Sequence, residues 1–246
     1  MLPRFFAPDM DTGLATVTLP VDEARHLTRV LRLSAGDVVE VFDGRGSVCR
    51  AVIEAAVRDT ALLRLMEALP PVAPPPVRLV LVQAVLKGSS MDDCVRDATM
   101  LGVEAVEPLL TAHTDVKPSF ACRPETIERW RRVALASVKQ SRRASLPVIH
   151  QPRTFGDWLA TPAAETRLLF VEPSAACRPH ALKSLLERGA PARAAVIIGP
   201  EGGWSPGEIE AALAAGCVAV SLGPLTLRAE SMAIAALSAL GVIWQT

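Results

Sequence analysis

The sequence lacks the patterns that mark metal-binding, disulfide-linked or membrane proteins. Its five cysteines are scattered, with no C-x-x-C pair and no histidine at metal-ligand spacing, so neither a zinc site nor a disulfide framework is predicted. No run approaches the roughly 18 apolar residues of a membrane-spanning helix, and residues 1–10 contain no apolar signal core. We therefore expect a soluble, cytoplasmic protein that has no metal and no membrane partner.

The net charge of the chain is zero, because its 26 basic and 26 acidic residues cancel. No global field indicates a nucleic-acid partner, and any basic surface must be local. Apolar residues, in contrast, make up half of the 246 positions, which is enough to bury a real core. The composition excludes a disordered chain and allows one large domain or two modest ones.

A proline-rich segment divides the sequence into two parts. Residues 70–76 contain five prolines, which favour a stiff extended linker. Before it, over residues 1–69, short β-like runs begin at Ala15, Asp37, Ser47 and Ala61, with a turn signal at 43–46, and predict a small β-barrel. After it, over residues 77–246, apolar strands alternate with helices, which predicts an α/β domain with a parallel sheet covered on both faces.

One helix is expected to interrupt the barrel, from Asp22 to about Leu33, with Asp22 as its cap. Arg25, Arg29 and Arg32 are spaced so that their guanidinium groups project from one side of such a helix. The residues alone leave two interpretations open, a solvated helix face and a surface that binds phosphates.

The strongest local signal is a glycine-rich turn at 199–203, which follows a buried strand at 195–198. Ser205, Pro206 and Glu208 then provide the N-cap, first-turn proline and capping box of a helix that Gly216 can close. Loops at the carboxyl ends of parallel strands form ligand crevices, and glycines let a ligand approach the backbone closely. The turn lacks the G-K-[ST] ending of a triphosphate-binding loop, which disfavours a nucleotide hydrolase. Structural and ligand-binding roles remain equally open.

A second loop, 222–228, follows the strand VAVS and leads into the last helix, expected from about Ser231. Leu225 and Leu227 could enclose a flat, uncharged adenine. Arg228 and Glu230 are the only charges here, and a surface ion pair at the helix start is the alternative interpretation.

A third signal is electrostatic. Residues 116–143 contain eight basic side chains against two acidic ones, on a helix expected from Pro124 to Arg143 whose apolar stripe includes Ile127 and Trp130. Such a patch suits phosphate contacts, and a solvated face is the alternative.

Seven motifs spread over nearly the whole chain point to one family. They are PRFF at Pro3, HLTRVLRLSAGDVVEVFDGRG at His26, KGSSMD at Lys87, LGV at Leu101, KQSRR at Lys139, IGPEGGWSPGEI at Ile198 and LGPLTLRAES at Leu222. The combination of GPEGG with LG-x-x-x-LR-x-E at this distance is highly specific. With these motifs the chain resembles the RsmE-type enzymes of the SPOUT superfamily, which methylate N3 of a uridine in small-subunit (16S) ribosomal RNA.

The resemblance implies a PUA-like RNA-binding barrel, a catalytic domain with a C-terminal trefoil knot, and a homodimer. It also implies S-adenosylmethionine as cofactor, bound among three loops. The implied cofactor contacts are Val171, Glu172, Gly199, Pro200, Gly203, Ser221, Leu222, Gly223, Leu225 and Leu227. The residues expected to hold phosphates of ribosomal RNA or of the small ribosomal subunit are Arg4, Arg25, Arg29, Arg32, Arg142 and Arg143.

Several positions depart from the family pattern. Met100, Asp97 and His113 stand where an acidic residue, a lysine and an arginine are usual, Arg142 replaces a glycine, and 227–231 reads L-R-A-E-S instead of L-R-T-E-T. These departures leave the target nucleotide open. They also keep a rival class open, a non-catalytic RNA-binding or ribosome assembly factor.

For methyl transfer to uridine N3, the N3 proton must leave and negative charge spreads onto the uracil oxygens. Arg228 is the expected stabilising cation. Glu201 is expected to orient Arg228 or to accept the proton, although a free carboxylate is a weak base for uridine.

Overall fold

The computed structural model describes residues 2–162, 166–175 and 177–244. The chain forms two compact units, one of Met1–Ala73 with Val138–Leu146 and the other of Pro74–Ser137 with Pro147–Thr246. The proline-rich segment contains no helix or strand from residue 70 to 75. No sequence pattern predicts that Val138–Leu146 belongs to the first unit, because the helix that ends inside this segment, at Ser141, reads as one uninterrupted amphipathic stretch.

The first unit contains a five-stranded sheet with the order β1-β3-β4-β5-β2. Its elements are β1 (Arg4–Phe6), β2 (Thr16–Thr18), the short helix α1 (Val21–Arg25), a π-helix (His26–Val30), β3 (Val38–Phe42), β4 (Val48–Val57) and β5 (Thr60–Leu69). The β1–β3 pair is parallel and the other pairs are antiparallel. One apolar cluster fills this unit, with Phe5, Leu27, Ile53 and Leu63 fully buried.

The predicted turn between β3 and β4 is held by a single carboxylate. Asp43 Oδ1 accepts hydrogen bonds from the backbone N–H groups of Arg45, Gly46 and Ser47 at 2.7, 3.1 and 3.0 Å. Gly44 and Gly46 have φ angles of +76° and +123°, a region that glycine adopts without a Cβ clash. The predicted hairpin is confirmed, and these hydrogen bonds and φ angles explain its turn.

The structure has a helical segment where a helix from Asp22 to about Leu33 is predicted, but its cap, its helix type after Arg25 and its end differ from the prediction. The helix begins at Val21, so Asp22 lies inside its first turn and makes no capping bond. It changes to a π-helix at His26 and ends at Val30. Arg25 and Arg29 nevertheless project from one side, as predicted, because both donate to Asp59 at 2.8 Å. Arg32 lies beyond the helix with a φ of +54°.

The second unit contains a parallel sheet with the order β11-β13-β10-β12-β6-β7-β8, and β9 also pairs with β7. Its strands are β6 (Arg78–Ala84), β7 (Ala105–Leu110), β8 (Val148–Ile149), β9 (Arg153–Thr154), β10 (Thr166–Phe170), β11 (His180–Ala181), β12 (Arg193–Ile198) and β13 (Val218–Ser221). The helices are α2 (Ser90–Met100), α3 (Pro118–Ala121), α4 (Pro124–Ser141), α5 (Phe155–Leu159), α6 (Pro206–Ala214) and α7 (Ala229–Trp244), with a 3-10 helix over Leu182–Arg188. The α/β class with a parallel sheet is confirmed.

Both faces of this sheet are covered because its central strands are apolar on both sides. Along β6, Leu79 and Leu81 pack into a cluster with residues of α2, α4 and α7, whereas Val80 and Val82 pack into a cluster with residues of α5 and α6. The trefoil knot remains a prediction of the resemblance.

The helix of the basic patch has the apolar stripe that its sequence predicts. Ile127, Trp130, Ala134 and Val138 are each at most 3% exposed. Many of its charges are paired. The ion pairs are Arg129–Asp92, Arg131–Glu128, Lys139–Glu23 and Arg142–Glu40. Pairing makes the patch less positive than the residue count indicates. Within the described ranges, no helix has the length and apolar character needed to cross a membrane.

Candidate active site

A cavity of about 430 Å³ opens at the carboxyl ends of β10 and β12 in the second unit. The loops that follow these two strands line it, together with the segment that leads into α7 and one residue of α2. The lining residues are Ser90, Phe170, Val171, Glu172, Gly199, Pro200, Glu201, Gly203, Trp204, Thr226, Leu227, Arg228, Ala229, Glu230 and Met232. This is the edge of a parallel sheet where ligands generally bind.

Tight packing fixes the glycine-rich turn. A Cβ added to Gly199 would lie 3.1 Å from the indole of Trp204, and one added to Gly202 would lie 2.9 Å from His113 Cβ. Gly203 has a φ of +70°, which favours glycine for its backbone conformation. Close packing at Gly199 and Gly202 and the positive φ of Gly203 therefore explain why glycine occupies each of these three positions.

The turn ends where α6 begins. Ser205 Oγ accepts from the Glu208 N–H at 3.3 Å and Glu208 Oε2 accepts from the Ser205 N–H at 3.0 Å, which confirms the predicted capping box. Trp204, just before this cap, donates its Nε1–H to the Phe170 carbonyl at 3.0 Å and packs on Phe155 with 4.8 Å between ring centroids. The indole is thus held in place in the cavity wall.

Two polar contacts join the turn to the end of β6. The buried Gln83 donates from Nε2 to the carbonyls of Ala84 and Gly199, at 3.0 and 3.3 Å. Glu201 Oε1 accepts from the backbone N–H of Lys87 at 3.0 Å. The Gln83 side chain therefore holds the turn from outside, and the turn's own Glu201 side chain binds the backbone that follows β6, which pre-organises the cavity.

His113 contacts the same turn. Its Nδ1 lies 3.1 Å from the carbonyl oxygens of both Gly202 and Gly203, so the protonated Nδ1 donates to them. This residue stands where the family usually has an arginine, and its sequence position is far from the turn. The departure at 113 therefore lies beside the cavity wall, a proximity that the sequence did not reveal.

The charge of the cavity lining is predominantly negative. It has three carboxylates, Glu172, Glu201 and Glu230, and a single guanidinium, Arg228, beside apolar groups such as Leu227. In the part of the chain that the structure describes, Arg228 forms no ion pair with Glu230. The structure therefore does not show the alternative interpretation of these two residues, a surface ion pair between Arg228 and Glu230 at the helix start.

The predicted cofactor residues fall into three groups. Six of the ten line this cavity, as do both catalytic candidates, Arg228 and Glu201; the six are Val171, Glu172, Gly199, Pro200, Gly203 and Leu227. Ser221, Leu222 and Gly223 line a separate cavity of about 480 Å³ that also includes Lys183. Leu225 lines neither and is 75% exposed.

The sequence reasoning did not select several of the lining residues, among them Ser90, Trp204 and Met232. Trp204 could have been found, because a large aromatic directly after a glycine pair must be accommodated close to them. Ser90 and Met232 carry no local signal, because only the fold brings the starts of α2 and α7 to this edge of the sheet.

The predicted RNA-binding arginines within residues 1–69 of the first unit differ in their environments. Arg4 is only 9% exposed, and its guanidinium lies 4.5 Å from the Phe42 ring centroid. Arg25 and Arg29 both donate to Asp59 at 2.8 Å, so one carboxylate partly neutralises them. Arg32 is exposed.

The two arginines at the end of α4 are both partly buried. Burial lowers the pKa of Arg143. Arg142 pairs with Glu40 and has a φ of +63°. A positive φ explains why a glycine is usual at this place in the family. An arginine here bears backbone strain, which its ion pair with Glu40 offsets.

No cluster of three or more potential metal ligands occurs in residues 2–162, 166–175 and 177–244. The five cysteines are free thiols.

Two family models match the chain. The one described as an RNA methyltransferase domain matches residues 73–241, and the one described as an RNA methyltransferase PUA domain matches residues 19–66. Curated relatives match along almost the whole length. The ribosomal RNA small subunit methyltransferase E of Synechocystis sp. is 35% identical over 94% of this chain and 75% of its own. The protein of that name from Mycobacterium bovis is 32% identical over 95% and 88%.

Solved structures agree with this assignment. The crystal structure of a ribosomal RNA small subunit methyltransferase E from Neisseria gonorrhoeae, bound to S-adenosyl methionine, superposes with a TM-score of 0.88 at 27% identity, over 99% of this chain and 98% of that one. With the glycine-rich turn, the arginine loop and the PUA match all present in one chain, the protein belongs to the ribosomal RNA small subunit methyltransferase E family.

Proposed function

We propose that the protein methylates N3 of a uridine in 16S ribosomal RNA, using S-adenosylmethionine bound in the cavity at the ends of β10 and β12. The observation that carries the proposal is the meeting of the glycine-rich turn and the Arg228 loop in one cavity. The barrel, residues 1–69, binds RNA, residues 70–76 link the domains, and residues 77–246 form the methyltransferase domain.

The cavity fits this cofactor in shape and in charge. A Cβ at Gly199 would press on the indole of Trp204, which also lines the cavity, so glycine leaves the most room there, and Val171, Leu227 and Met232 offer apolar surface to a nucleobase. The excess of carboxylates over guanidinium groups suits a cationic ligand. When bound, the cofactor supplies an activated methyl group on a sulfonium. We also assign cofactor contacts to Ser221, at the end of β13, and to Leu222, Gly223 and Leu225 in the loop that follows it.

Arg228 acts on the RNA base. Arg228 lines the cavity and has no carboxylate partner among the described residues, so its guanidinium donors are free to bind the uracil oxygens as the N3 proton leaves. A fixed cation stabilises that developing charge without reorganisation. Glu201, which lines the same cavity, orients the arginine or receives the proton.

Replacement of Arg228 tests this assignment. We expect Arg228→Ala to lower kcat by about 10²–10³-fold, with S-adenosylmethionine affinity unchanged by calorimetry, and Arg228→Lys to retain part of the rate. Arg96→Ala, on the exposed side of α2, is the control. Full methylation by Arg228→Ala at unchanged cofactor affinity would refute the role. Mass spectrometric mapping of the modified ribosomal RNA nucleotide tests the target.

RNA phosphates are held by Arg4, Arg25, Arg29, Arg32, Arg142 and Arg143. Such contacts release counterions, so RNA affinity should fall steeply with salt. A salt-independent affinity would contradict this part of the proposal.

The protein acts in the cytoplasm as a homodimer through α7. This helix contains one charged residue, Glu230, and its exposed positions include Ile234 and Val242, which are 38% and 71% exposed. A helix that is uncharged on its exposed side generally packs against another surface. Light scattering after size exclusion should give twice the chain mass, and Val242→Glu should shift the protein toward monomer.

A further inference from the structure

A separate cavity, of about 270 Å³, lies within the first unit. Residues of β1, β3 and β4 line it, together with residues 69–72 from the end of β5 into the proline-rich segment. Three arginines line it, Arg4, Arg50 and Arg142, against a single carboxylate, Glu40. The cavity could hold several water molecules at ~30 Å³ each, and this space is enough for one small anion.

The charges of this cavity belong to a row across four strands. Arg4 pairs in register with Glu40, Glu40 with Arg50, and Arg50 with Glu67. Residues directly opposite each other in a sheet project on the same face, so these four side chains are neighbours. Arg50 also forms an ion pair with Glu67, and Arg142 with Glu40. Three guanidinium groups thus face two carboxylates, which leaves one positive charge in excess.

That excess lies at the Arg4 end of the row. Arg4 Nε and Nη1 are buried and have no hydrogen-bond partner among the described residues. The side chain is nine-tenths buried, and its contact with the Phe42 ring satisfies the face of the guanidinium and leaves its edge donors unmatched. Buried charged donors without acceptors are strongly unfavourable, so their presence beside a cavity indicates a missing acceptor.

We propose that this cavity binds one phosphate group through Arg4, Arg50 and Arg142. Guanidinium donors match phosphate oxygens in a forked geometry, and one excess positive charge matches a phosphodiester. Glu40 does not repel the anion strongly because the guanidinium groups on its sides neutralise it and it holds Arg142 in place. The phosphate comes from the RNA backbone, a source that rests on the proposed function, and free phosphate offers the same chemistry.

Arginine Nε–H resonances of the full-length protein test the site directly. Inorganic phosphate should shift the Arg4 Nε–H signal saturably, whereas sodium chloride at matched ionic strength should not; Arg4→Lys assigns the signal. A short oligouridylate that displaces phosphate identifies RNA as the source, and phosphate binding that the oligouridylate does not displace identifies free phosphate. No shift with either ligand would overturn the proposal.

Variants test whether RNA uses the site. Arg50→Gln and Arg142→Gly should each reduce the slope of log K against log salt for RNA binding by about 0.7–0.9, the value for one phosphate contact. Arg142→Gly suits the left-handed backbone at that position. Arg64→Gln is the matched control, because Arg64 pairs with Glu54 on the same sheet and does not line the cavity.

Unchanged slopes in both variants, with the Arg4 signal unaffected by RNA, would exclude an RNA phosphate here. S-adenosylmethionine affinity, measured on every variant, verifies the fold. The same measurement separates the phosphate site from the proposed function. If the wild-type protein failed to bind the cofactor, the proposed function would be refuted, and the phosphate titration could still be interpreted.

Discussion

The glycine-rich turn allows a steric test of the cavity through Gly199→Ala. The φ of Gly199 is outside the left-handed region, so its backbone accepts alanine and only space is at issue. The new Cβ would lie 3.1 Å from Trp204 Cε2 and Nε1, which requires the indole to move by a few tenths of an ångström. That movement strains the hydrogen bond from Trp204 to the Phe170 carbonyl and its packing on Phe155.

The magnitude follows from overpacking in a rigid environment, about 1–3 kcal/mol. This free energy corresponds to about 5- to 150-fold in an equilibrium constant. The penalty lowers the free energy of unfolding. If the indole moves into the cavity, the change also weakens S-adenosylmethionine binding. Calorimetric titration with the cofactor and urea denaturation together measure both.

Gly207→Ala is the matched control, because a Cβ at Gly207 meets nothing within 4 Å and the residue lies in α6. Alanine there should stabilise the helix by about 0.5–1 kcal/mol and leave the cofactor affinity unchanged. If Gly199→Ala behaved like this control in both measurements, the argument that close packing shapes the cavity would be refuted.

Three further predictions concern the cap of α6, the paired arginines and the thiols. Ser205→Ala removes a formed capping bond and should lower the free energy of unfolding by about 1 kcal/mol, measured by urea denaturation, whereas Ser89→Ala should have little effect because Ser89 makes no side-chain cap bond. Asp59→Asn releases two arginines, so RNA should bind more tightly and with a steeper salt dependence in filter-binding assays; an unchanged slope would show that neither arginine contacts phosphate. Iodoacetamide should modify the exposed Cys122 first, because burial raises the pKa of three other thiols. Peptide mapping of the labelled protein measures the order. Equal labelling of any of those three, Cys49, Cys94 and Cys217, would contradict this.

Much of the second unit could be predicted because its signals are local. The strand over Arg193–Ile198 is a buried apolar run, and Ser205 with Glu208 marks the helix start by hydrogen bonds within one turn. The last helix was expected from Ser231 and begins at Ala229, a difference within the usual uncertainty of helix ends. Local chemistry of this kind does not depend on the rest of the fold.

The π-helix over His26–Val30 could not be predicted, since its spacing differs from that of an α-helix and no local residue marks the change. The short strands β8, β9 and β11 were also not predicted, because two residues carry no periodicity. Two basic residues of α4, Arg129 and Lys139, pair with partners distant in sequence, Asp92 and Glu23. A count of basic residues therefore overstates the field that the folded chain presents.

By itself, the sequence determined the two-part organisation, the parallel α/β class, the capped helix after the glycine-rich turn and the family, because each can be recognised from short residue patterns and from their order along the chain. The tertiary structure alone decided which strand-end residues share one cavity, that His113 and Gln83 support the turn, and that Arg4 is left without acceptors in a row of charges. Those facts depend on strand order and register, which bring together side chains that are distant in sequence, such as Gln83 with Gly199 and Arg4 with Glu40, and no local pattern records them.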